Sequence, residues 1–196
     1  MTGPAERQGR IRARIEASAQ AIRALLGAVD AIDAVCEAVI GVLQAGGKVL
    51  TAGNGGSAAE ALHMAEELVG RFRGNRTSLA AVCLAADPTA LTCIANDFGY
   101  DRVFSRQVEG LGRAGDMLVL FSTSGAARNL ALALDAARAR GVRTVGFLGR
   151  DGGPLAGRTD IEVIVPGEAT EHIQEAHQVL LHLVLDAVEE AWSATT

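Results

Sequence analysis

The sequence predicts a doubly wound α/β domain, in which helices flank a five-stranded parallel sheet and a helical extension precedes it. Three observations favour this class. Short apolar runs alternate with segments of helical spacing along most of the 196 residues. The runs are mostly apolar throughout rather than alternating, as parallel strands covered on both faces require. Two of the runs end in turns rich in Gly, Ser and Thr that lead into helices, which is typical of α/β folds.

The first 45 residues are expected to form the helical extension, with residues 1–8 frayed. From Ile11 to Leu43, apolar side chains recur at helical spacing, and Gly27 with the Asp30–Asp33 region divides this stretch into two helices. Gly46-Gly47 is expected to end the second helix. These helices are too apolar to lie free on a small domain, so they either pack on the sheet or pair with another copy of the chain.

Residues 46–196 are predicted to form the α/β core, so that residues 1–196 make a single domain. The five predicted strands share an apolar composition: Lys48–Ala52, Leu79–Ala85, Met117–Ser122, Thr144–Leu148 and Ile161–Val165. The segments between and after them share helical spacing: Ala58–Arg71, Ala90–Phe98, Val103–Leu111, Asn129–Arg140 and Thr170–Trp192, with a short turn near Pro154. This alternation predicts helices on both faces of the sheet.

The composition argues against two kinds of partner, nucleic acids and membranes. The formal net charge of −5 argues against general nucleic-acid binding, because phosphate backbones attract basic surfaces. No apolar stretch approaches the roughly 20 residues needed to cross a bilayer, and no signal peptide is visible, so neither a membrane nor export is expected. The three cysteines are expected to be packed free thiols in a reducing compartment, which favours a cytoplasmic location.

Two turns at strand ends are predicted to hold an anion. Gly53-Asn54-Gly55-Gly56-Ser57 follows the first strand, and Ser122-Thr123-Ser124-Gly125 follows the third. Unpaired N–H groups and the positive end of a helix would face a ligand at each, and Ser57 is placed as a helix N-cap. Each motif, taken by itself, can also be explained as a capped turn that binds no ligand. The first turn lacks the acidic residue of a dinucleotide site and the Gly-Lys-Ser/Thr of a nucleoside-triphosphate loop, so a nucleotide is not implied.

Four side chains near these turns are candidate metal ligands. His63 and Glu67, four residues apart, share a helix face, and Gln174 and His182 lie about 80° apart around the last helix. Two imidazoles, a carboxylate and an amide oxygen suit a borderline divalent ion such as Zn²⁺. The four-residue spacing of His63 and Glu67 alone is more typical of an interacting pair on a helix surface. A metal site is favoured because the two predicted anion-binding turns are nearby.

In order along nearly the whole chain, these motifs resemble the phosphoheptose isomerases, sugar isomerase (SIS) domain proteins that convert D-sedoheptulose 7-phosphate to D-glycero-D-manno-heptose 7-phosphate. The resemblance is carried by six segments: Ala52–Ala59, His63–Glu67, Asn96–Tyr100, Phe104–Val108, Ser122–Gly125 and Ile173–His177. It implies a homotetramer and one Zn²⁺ per subunit, held by His63, Glu67, Gln174 and His182. It also implies that the substrate contacts Asn54, Gly55, Gly56, Glu67, Asn96, Asp97, Ser122, Thr123, Ser124 and Gln174.

One position departs from the pattern of the resembled family. Three residues after Ser124, where the family usually has a further phosphate-binding serine, this chain has Ala127. One hydroxyl hydrogen bond to a charged phosphate typically contributes about 1.5–3 kcal/mol, so affinity or phosphate pose is expected to differ. Ser57 and backbone donors are expected to compensate as further substrate contacts.

The reaction that the resemblance implies is an aldose–ketose isomerisation through an enediol or enediolate. It requires a base at carbon, an acid or base at the oxygens, and stabilisation of developing negative charge. We assign Glu67 as the base that carries the carbon proton and His182 as the acid/base partner at oxygen. A bound Zn²⁺ would polarise the hydroxyl and carbonyl oxygens.

Two alternatives remain open from the sequence. The first is an isomerase for another sugar phosphate, which Ala127 leaves possible. The second is a non-catalytic SIS protein that binds the replication initiator DnaA, since the chain resembles such proteins over the same span. Those relatives usually lack the full metal set, whereas Glu67 and His182 are present here.

Overall fold

Residues 3–193, which the computed structural model describes, fold around five parallel strands. The strands are β1 (Val49–Gly53), β2 (Ala81–Cys83), β3 (Met117–Ser122), β4 (Arg143–Gly149) and β5 (Ile161–Val165). Their order in the sheet is β2-β1-β3-β4-β5. The predicted fold class is therefore confirmed. The central strands β1, β3 and β4 are almost wholly buried, whereas β2 and β5 are partly exposed because each forms an edge.

Seven α-helices accompany the strands: α1 (Pro4–Ala24), α2 (Val29–Gln44), α3 (Gly56–Val69), α4 (Pro88–Phe98), α5 (Ser105–Leu111), α6 (Arg128–Ala139) and α7 (Thr170–Ser193). Short 3₁₀ turns occur at Leu25–Ala28, Tyr100–Arg102 and Gly153–Leu155. The expected fraying is wrong for residues 4–8, which are helical, because Pro4 at the first helical position favours helix initiation. Residues 1 and 2 lie outside the described part.

The strand order places two loops side by side. β1 pairs with β2 on one side and with β3 on the other, and Gly53 aligns with Phe121 near the carboxyl ends of β1 and β3. The loops that follow these two strands therefore leave the same edge of the sheet at the point where the strand order reverses. In open α/β sheets this crevice is where ligands bind. Both predicted anion-binding turns lie there.

Two hydrophobic clusters lie on opposite faces of the sheet. One joins the strands to α2, α3 and α7 and contains Phe121 and Phe147, whose ring centroids are 5.2 Å apart. The other joins them to α5 and α6 and contains Leu118 and Leu120. Because successive strand residues point to opposite faces, the odd-numbered and even-numbered residues of β3 serve different clusters. This explains why the strand is apolar throughout.

The N-terminal helices pack on the domain and also expose apolar surface. α1 and α2 both contact α7. A mostly apolar groove of about 430 Å³ runs between them, lined by Ile22, Leu25, Leu26, Val29, Ile32, Asp33, Cys36, Val179 and Leu183. The side chain of Leu26 is 77% exposed at its rim. Within residues 3–193, none of the helices combines the length and apolarity that crossing a bilayer demands.

The cysteines were predicted to be packed free thiols. Cys36 and Cys83 are buried and free, as expected. The expectation is wrong for Cys93, which is free but exposed, because it lies on the outer side of α4 and is directed toward the Asp97 carboxylate. Burial raises the pKa of the Cys36 thiol to about 11, so this thiol stays protonated at neutral pH.

Candidate functional site

The first turn brings backbone N–H groups to the end of β1. Gly55 has φ +59°, a conformation that glycine adopts readily, and it is the N-cap of α3. The N–H of Ser57 bonds to the Asn54 carbonyl at 3.1 Å, and those of Ala58 and Ala59 bond to the Gly55 carbonyl. The N–H groups of Gly55 and Gly56 are therefore the candidate donors to a ligand. The predicted N-cap at Ser57 is wrong: this residue lies inside the first helical turn and is buried.

The second turn is built around its own hydroxyl groups. Ser122 is buried, and its Oγ accepts a hydrogen bond from the N–H of Gly125 at 3.0 Å. Ser124 Oγ accepts one from the N–H of Ala126 at 3.3 Å. Thr123 and Ser124 are half-buried, so both present hydroxyls at the edge of the crevice. The N-cap of α6 is Ala127, which has no side-chain acceptor for the helix N-terminus.

A pair of asparagines connects the two turns. Asn54 Nδ2 donates to Asn129 Oδ1 at 3.0 Å, and Asn129 Nδ2 donates to Asn54 Oδ1 at 2.8 Å. The Tyr100 hydroxyl also donates to Asn54 Oδ1, at 2.9 Å. The predicted substrate residues Asn96 and Asp97 are exposed in the last turn of α4, where the Asn96 amide donates to the Asp97 carboxylate at 2.7 Å. Sequence patterns alone did not indicate Asn129.

Three of the four predicted metal ligands lie together. His63 and Glu67 face each other on α3, with Nε2 and Oε1 3.4 Å apart. The His182 ring on α7 meets the His63 ring edge to face, with centroids 5.2 Å apart. Glu66, which is exposed, also brings a carboxylate oxygen close to His63 and Glu67. The His63–Glu67 pair is therefore part of a cluster between two helices rather than an isolated surface pair.

Gln174, the fourth predicted ligand, lies over the first turn. Its carboxamide occupies the space that a Cβ at position 56 would need, so a larger residue at Gly56 would displace the Gln174 side chain. This contact joins α7 to the anion-binding turn. Gln178, which the sequence analysis missed, is the amide that contacts the cluster, because its side chain lies against His63 Nδ1. Gln178 is four residues from both Gln174 and His182, so helical spacing was the signal that could have found it.

The surroundings of His182 determine its charge. Burial lowers its pKa below the ordinary value of 6.5, the nearby His63 and Arg73 lower it further, and Glu67 opposes them. Phe72 stacks on the imidazole with ring centroids 5.7 Å apart, and the Arg73 guanidinium lies 4.9 Å from the Phe72 ring centre. His182 is thus a neutral imidazole at neutral pH, which is the form that ligates metals and accepts protons.

Arg76 fixes the end of α3 that carries Glu67. Its guanidinium donates to the main-chain carbonyl of Glu67 at 2.7 Å and to that of Leu68 at 2.9 Å. It also pairs with Glu189 of α7 at 3.5 Å, and the two side chains are only 4% and 9% exposed. No pattern in the sequence indicated Arg76. Arg76 therefore joins the two helices from which the histidine and glutamate side chains project.

Comparison with known proteins agrees with this geometry. Residues 14–149 match the model of the SIS domain family. Phosphoheptose isomerase of Citrifermentans bemidjiense is 44% identical over 180 residues, covering 91% of this chain and 94% of that protein. The same enzyme of Akkermansia muciniphila is 46% identical over 179 residues, covering 91% and 95%.

Solved structures show the same similarity in three dimensions. Phosphoheptose isomerase of Neisseria gonorrhoeae superposes with a TM-score of 0.88 at 41% identity, covering 93% of this chain and 98% of that chain. A phosphoheptose isomerase of Francisella tularensis superposes with a TM-score of 0.91 at 31% identity, covering 97% and 100%. The N-terminal helices and α7 are therefore part of the shared architecture as well as the sheet.

Proposed function

The chain belongs to the phosphoheptose isomerases, a group of SIS-domain sugar-phosphate isomerases, and from this premise we propose that it converts D-sedoheptulose 7-phosphate to D-glycero-D-manno-heptose 7-phosphate. One observation carries the proposal. The turns after β1 and β3 lie together at the switch point, and Gln174 joins the first of them to the helix that bears His182. This arrangement supports a phosphate site at the two turns that is joined through Gln174 to a proton-transfer site on α3 and α7.

The donor geometry of the cluster fits a zinc ion. With bonds of about 2.0–2.1 Å to nitrogen and oxygen, two neighbouring ligands of a tetrahedral Zn²⁺ lie roughly 3.3–3.4 Å apart. His63 Nε2 and Glu67 Oε1 are 3.4 Å apart, and the lowered pKa of His182 keeps its imidazole available. We assign His63, Glu67 and His182 as residues that would hold the ion. Gln174, the fourth ligand that the resemblance implies, lies against Gly56 and would have to turn its carboxamide toward them. When bound, the ion would polarise the substrate oxygens.

The protein's own groups supply the proton chemistry in this proposal. Glu67 removes the proton from one of the two reacting carbons and returns it to the other, passing through an enediol or enediolate. His182, neutral at neutral pH, exchanges a proton with the adjacent oxygen. Arg76, bonded to the Glu67 carbonyl at 2.7 Å, holds the backbone that carries this carboxylate. The helix ends and turn hydroxyls bind the phosphate far from the reacting carbons and so supply positioning.

The substrate contacts divide between the two turns. We propose that Gly55, Gly56 and Ser57 with Asn54 form one side of the site, and that Ser122, Thr123 and Ser124 form the other. Asn96, Asp97 and Gln174 are expected to contact the sugar. Ser57 is buried, so its contribution is expected to come through the N-terminus of α3. A cytoplasmic location also stays a prediction.

A homotetramer is part of the same proposal. Leu26 and Val29 in the lining of the apolar groove between α1, α2 and α7 are exposed, and Ile15 of α1 is exposed as well. We propose that a second copy of this chain covers the groove, because contiguous exposed apolar surface is typical of protein–protein contacts and the commonest oligomers pair identical surfaces. That the assembly has four subunits is implied only by the resemblance to the phosphoheptose isomerases.

A direct assay tests the proposed reaction. Purified protein is incubated with sedoheptulose 7-phosphate, with added Zn²⁺ or with a chelator, and aldose formation is followed by NMR. The Glu67→Gln variant is run beside it, with Glu37→Gln on the exposed face of α2 as the matched control. Turnover that is lost in Glu67→Gln and kept in Glu37→Gln supports the isomerase and its base. Loss with chelator, restored by Zn²⁺, supports the metal.

The absence of a hydroxyl at Ala127 favours one second candidate, an isomerase for a different sugar phosphate. A folded, zinc-loaded protein that leaves sedoheptulose 7-phosphate unchanged would contradict the proposed substrate, and other sugar phosphates would then be assayed. If none reacts, binding to the replication initiator DnaA is the remaining reading from the sequence.

A further inference from the structure

The carboxamide of Asn54 is held by two side chains that come from other segments. Asn129 forms a reciprocal pair with it, at 3.0 Å and 2.8 Å, and the Tyr100 hydroxyl adds a third bond at 2.9 Å. Asn129 is 3% exposed and lies in the first turn of α6, directly after the second anion-binding turn. Tyr100 lies just after α4, the helix that carries Asn96 and Asp97.

Counting donors and acceptors shows what Asn54 has left to offer. A carboxamide has an oxygen with two lone pairs and a nitrogen with two N–H groups. Asn129 and Tyr100 use both lone pairs of the Asn54 oxygen, and Asn129 uses one of the two N–H groups. One N–H remains. Toward a ligand Asn54 is therefore a donor only, and its partner must be an acceptor such as a phosphate or sugar oxygen.

The arrangement also resists rotation of the amide. Turning the Asn54 carboxamide over would set oxygen against oxygen and N–H against N–H across the pair with Asn129. The Tyr100 hydroxyl, which donates to Asn54 Oδ1, would then have to turn and accept from the Asn54 N–H instead. Asn129 is buried, so leaving its amide unsatisfied would cost about 1–3 kcal/mol, whereas Asn54 is half-buried and Tyr100 is exposed. Asn129 thus ties the orientation of the Asn54 amide to that of its own, and Tyr100 takes the second lone pair of the Asn54 oxygen in this arrangement.

We propose that Asn129 and Tyr100 are positioning residues that hold Asn54 as a hydrogen-bond donor to the phosphorylated substrate. They set the affinity for the substrate rather than the rate of proton transfer, because both contact Asn54 of the first anion-binding turn and neither lies in the His63–Glu67–His182 cluster. This inference rests on the proposed function in one respect, namely that Asn54 contacts the substrate.

The test compares two variants with a matched control. Tyr100→Phe removes one hydroxyl from a side chain that is 61% exposed, and Asn129→Asp replaces the donor that faces Asn54 Oδ1 by an oxygen. The control is Asp101→Asn, which breaks the exposed Arg128–Asp101 ion pair at 3.1 Å. That pair joins the same two segments without touching Asn54. For each protein, kcat and KM for sedoheptulose 7-phosphate are measured, together with the dissociation constants of that sugar phosphate and of inorganic phosphate by calorimetry.

The expected results distinguish two roles for Tyr100 and Asn129: orienting the Asn54 amide, or only holding their two segments of chain together. Losing one neutral hydrogen bond corresponds to an increase of about three- to tenfold in KM and in both dissociation constants for Tyr100→Phe. A larger increase, about ten- to a hundredfold, is expected for Asn129→Asp, since it sets two acceptors against each other. For both variants kcat should stay within about twofold of the wild type. A contact that binds the substrate and the transition state equally raises KM when it is lost and leaves kcat unchanged. The control should match the wild type in every value.

Three results would overturn the inference. The first is a Tyr100→Phe variant with unchanged affinity for the sugar phosphate and for inorganic phosphate. This result is sufficient by itself if Asn129→Asp does not fold. The second is the same loss of affinity in Asp101→Asn, which would indicate tethering. The third is a fall in kcat as large as the rise in KM. A wild type that binds the sugar phosphate without converting it contradicts the proposed reaction, and the dissociation constants then still decide on Asn129 and Tyr100.

Discussion

The carboxamide of Gln178 lies against Nδ1 of His63, while Nε2 of the same ring faces Glu67 Oε1 at 3.4 Å. One nitrogen is therefore held by α7 and the other is directed into the His63–Glu67–His182 cluster. The Gln178 amide nitrogen faces the ring, so its N–H donates to Nδ1 and the ring proton lies on Nε2, toward Glu67. A metal ion at Nε2 would move that proton to Nδ1, and the Gln178 amide would then turn to accept from Nδ1–H with its oxygen, which is how the second nitrogen of a metal-ligating histidine is usually fixed.

Gln178→Leu should weaken zinc binding. The leucine keeps similar bulk but leaves His63 Nδ1 without its partner, so both ring orientation and tautomer become less defined. Loss of such a partner typically lowers metal affinity about 10- to 100-fold. Competition between the protein and a chromophoric chelator measures the effect. Gln20→Leu, on the exposed side of α1, is the control and should bind zinc like the wild type. Equal affinity in the two variants would show that Gln178 does not orient His63.

The pH dependence of His182 should depend on Phe72. Burial lowers the His182 pKa below 6.5, so the imidazole is neutral above that lowered value and becomes charged only as the pH falls through it. Phe72→Ala removes the stacked ring and admits water, which reduces the desolvation and raises the pKa toward 6.5. An NMR titration of the metal-free protein should show this upward shift. The acid limb of the activity profile should move to higher pH in the same direction. A His182 titration that is the same in both proteins would contradict the assigned cause.

Removing Arg76 should destabilise the fold strongly. Arg76→Met leaves the Glu189 carboxylate buried and unpaired, and breaking a buried pair in this way costs about 3–5 kcal/mol. The double variant Arg76→Met/Glu189→Leu should recover part of that loss, since it removes both charges together. Urea unfolding curves measure both free energies. A loss below about 1 kcal/mol in the single variant would match an exposed ion pair instead and would contradict the buried one.

Much of the fold follows from the sequence because its pattern is local. The apolar runs of β1, β3 and β4 reflect burial on both faces, and the glycine turns mark where those strands end. Helix ends were less predictable: the N-cap of α3 is Gly55 rather than Ser57, because the turn after β1 enters the helix two residues earlier than the pattern of hydroxyls indicates.

The candidate site was predictable only in part. The spacing of His63 and Glu67 places them on one helix face, and that relationship is local. Asn129 contacts Asn54, 75 residues earlier in the chain, and Arg76 contacts the Glu67 carbonyl, nine residues earlier. Both contacts arise only when separate segments fold together. No periodicity encodes such contacts. Gln178 is intermediate, since its helical spacing was visible but its partner on α3 was not.

The exposed apolar surface predicts an oligomer that can be disrupted. Leu26→Glu places a charge at the rim of the groove between α1, α2 and α7, where the wild-type side chain is 77% exposed in the single chain. If a second copy covers this groove, the charge would have to be buried without a partner, so the assembly should dissociate. Light scattering after size exclusion gives the mass of each. Ala5→Glu, an exposed residue of α1 outside the groove, should keep the mass of the wild type. A wild type that is monomeric at micromolar concentration would contradict the proposed assembly.

Ala127→Ser should strengthen phosphate binding. Ala127 is the N-cap of α6, beside the turn that presents Thr123 and Ser124, and a serine there would add a hydroxyl at the positive end of the helix. One hydroxyl hydrogen bond to a charged phosphate, at about 1.5–3 kcal/mol, corresponds to a roughly ten- to hundredfold lower dissociation constant for inorganic phosphate, measured by calorimetry. A serine N-cap also stabilises a helix by about 0.5–2 kcal/mol without any ligand, so urea unfolding of the ligand-free protein separates the two effects. Ala126→Ser, at the exposed neighbouring position, is the control and should change neither quantity. A gain in stability with unchanged phosphate affinity would show that the hydroxyl only caps the helix, and that the alanine does not limit phosphate binding in this chain.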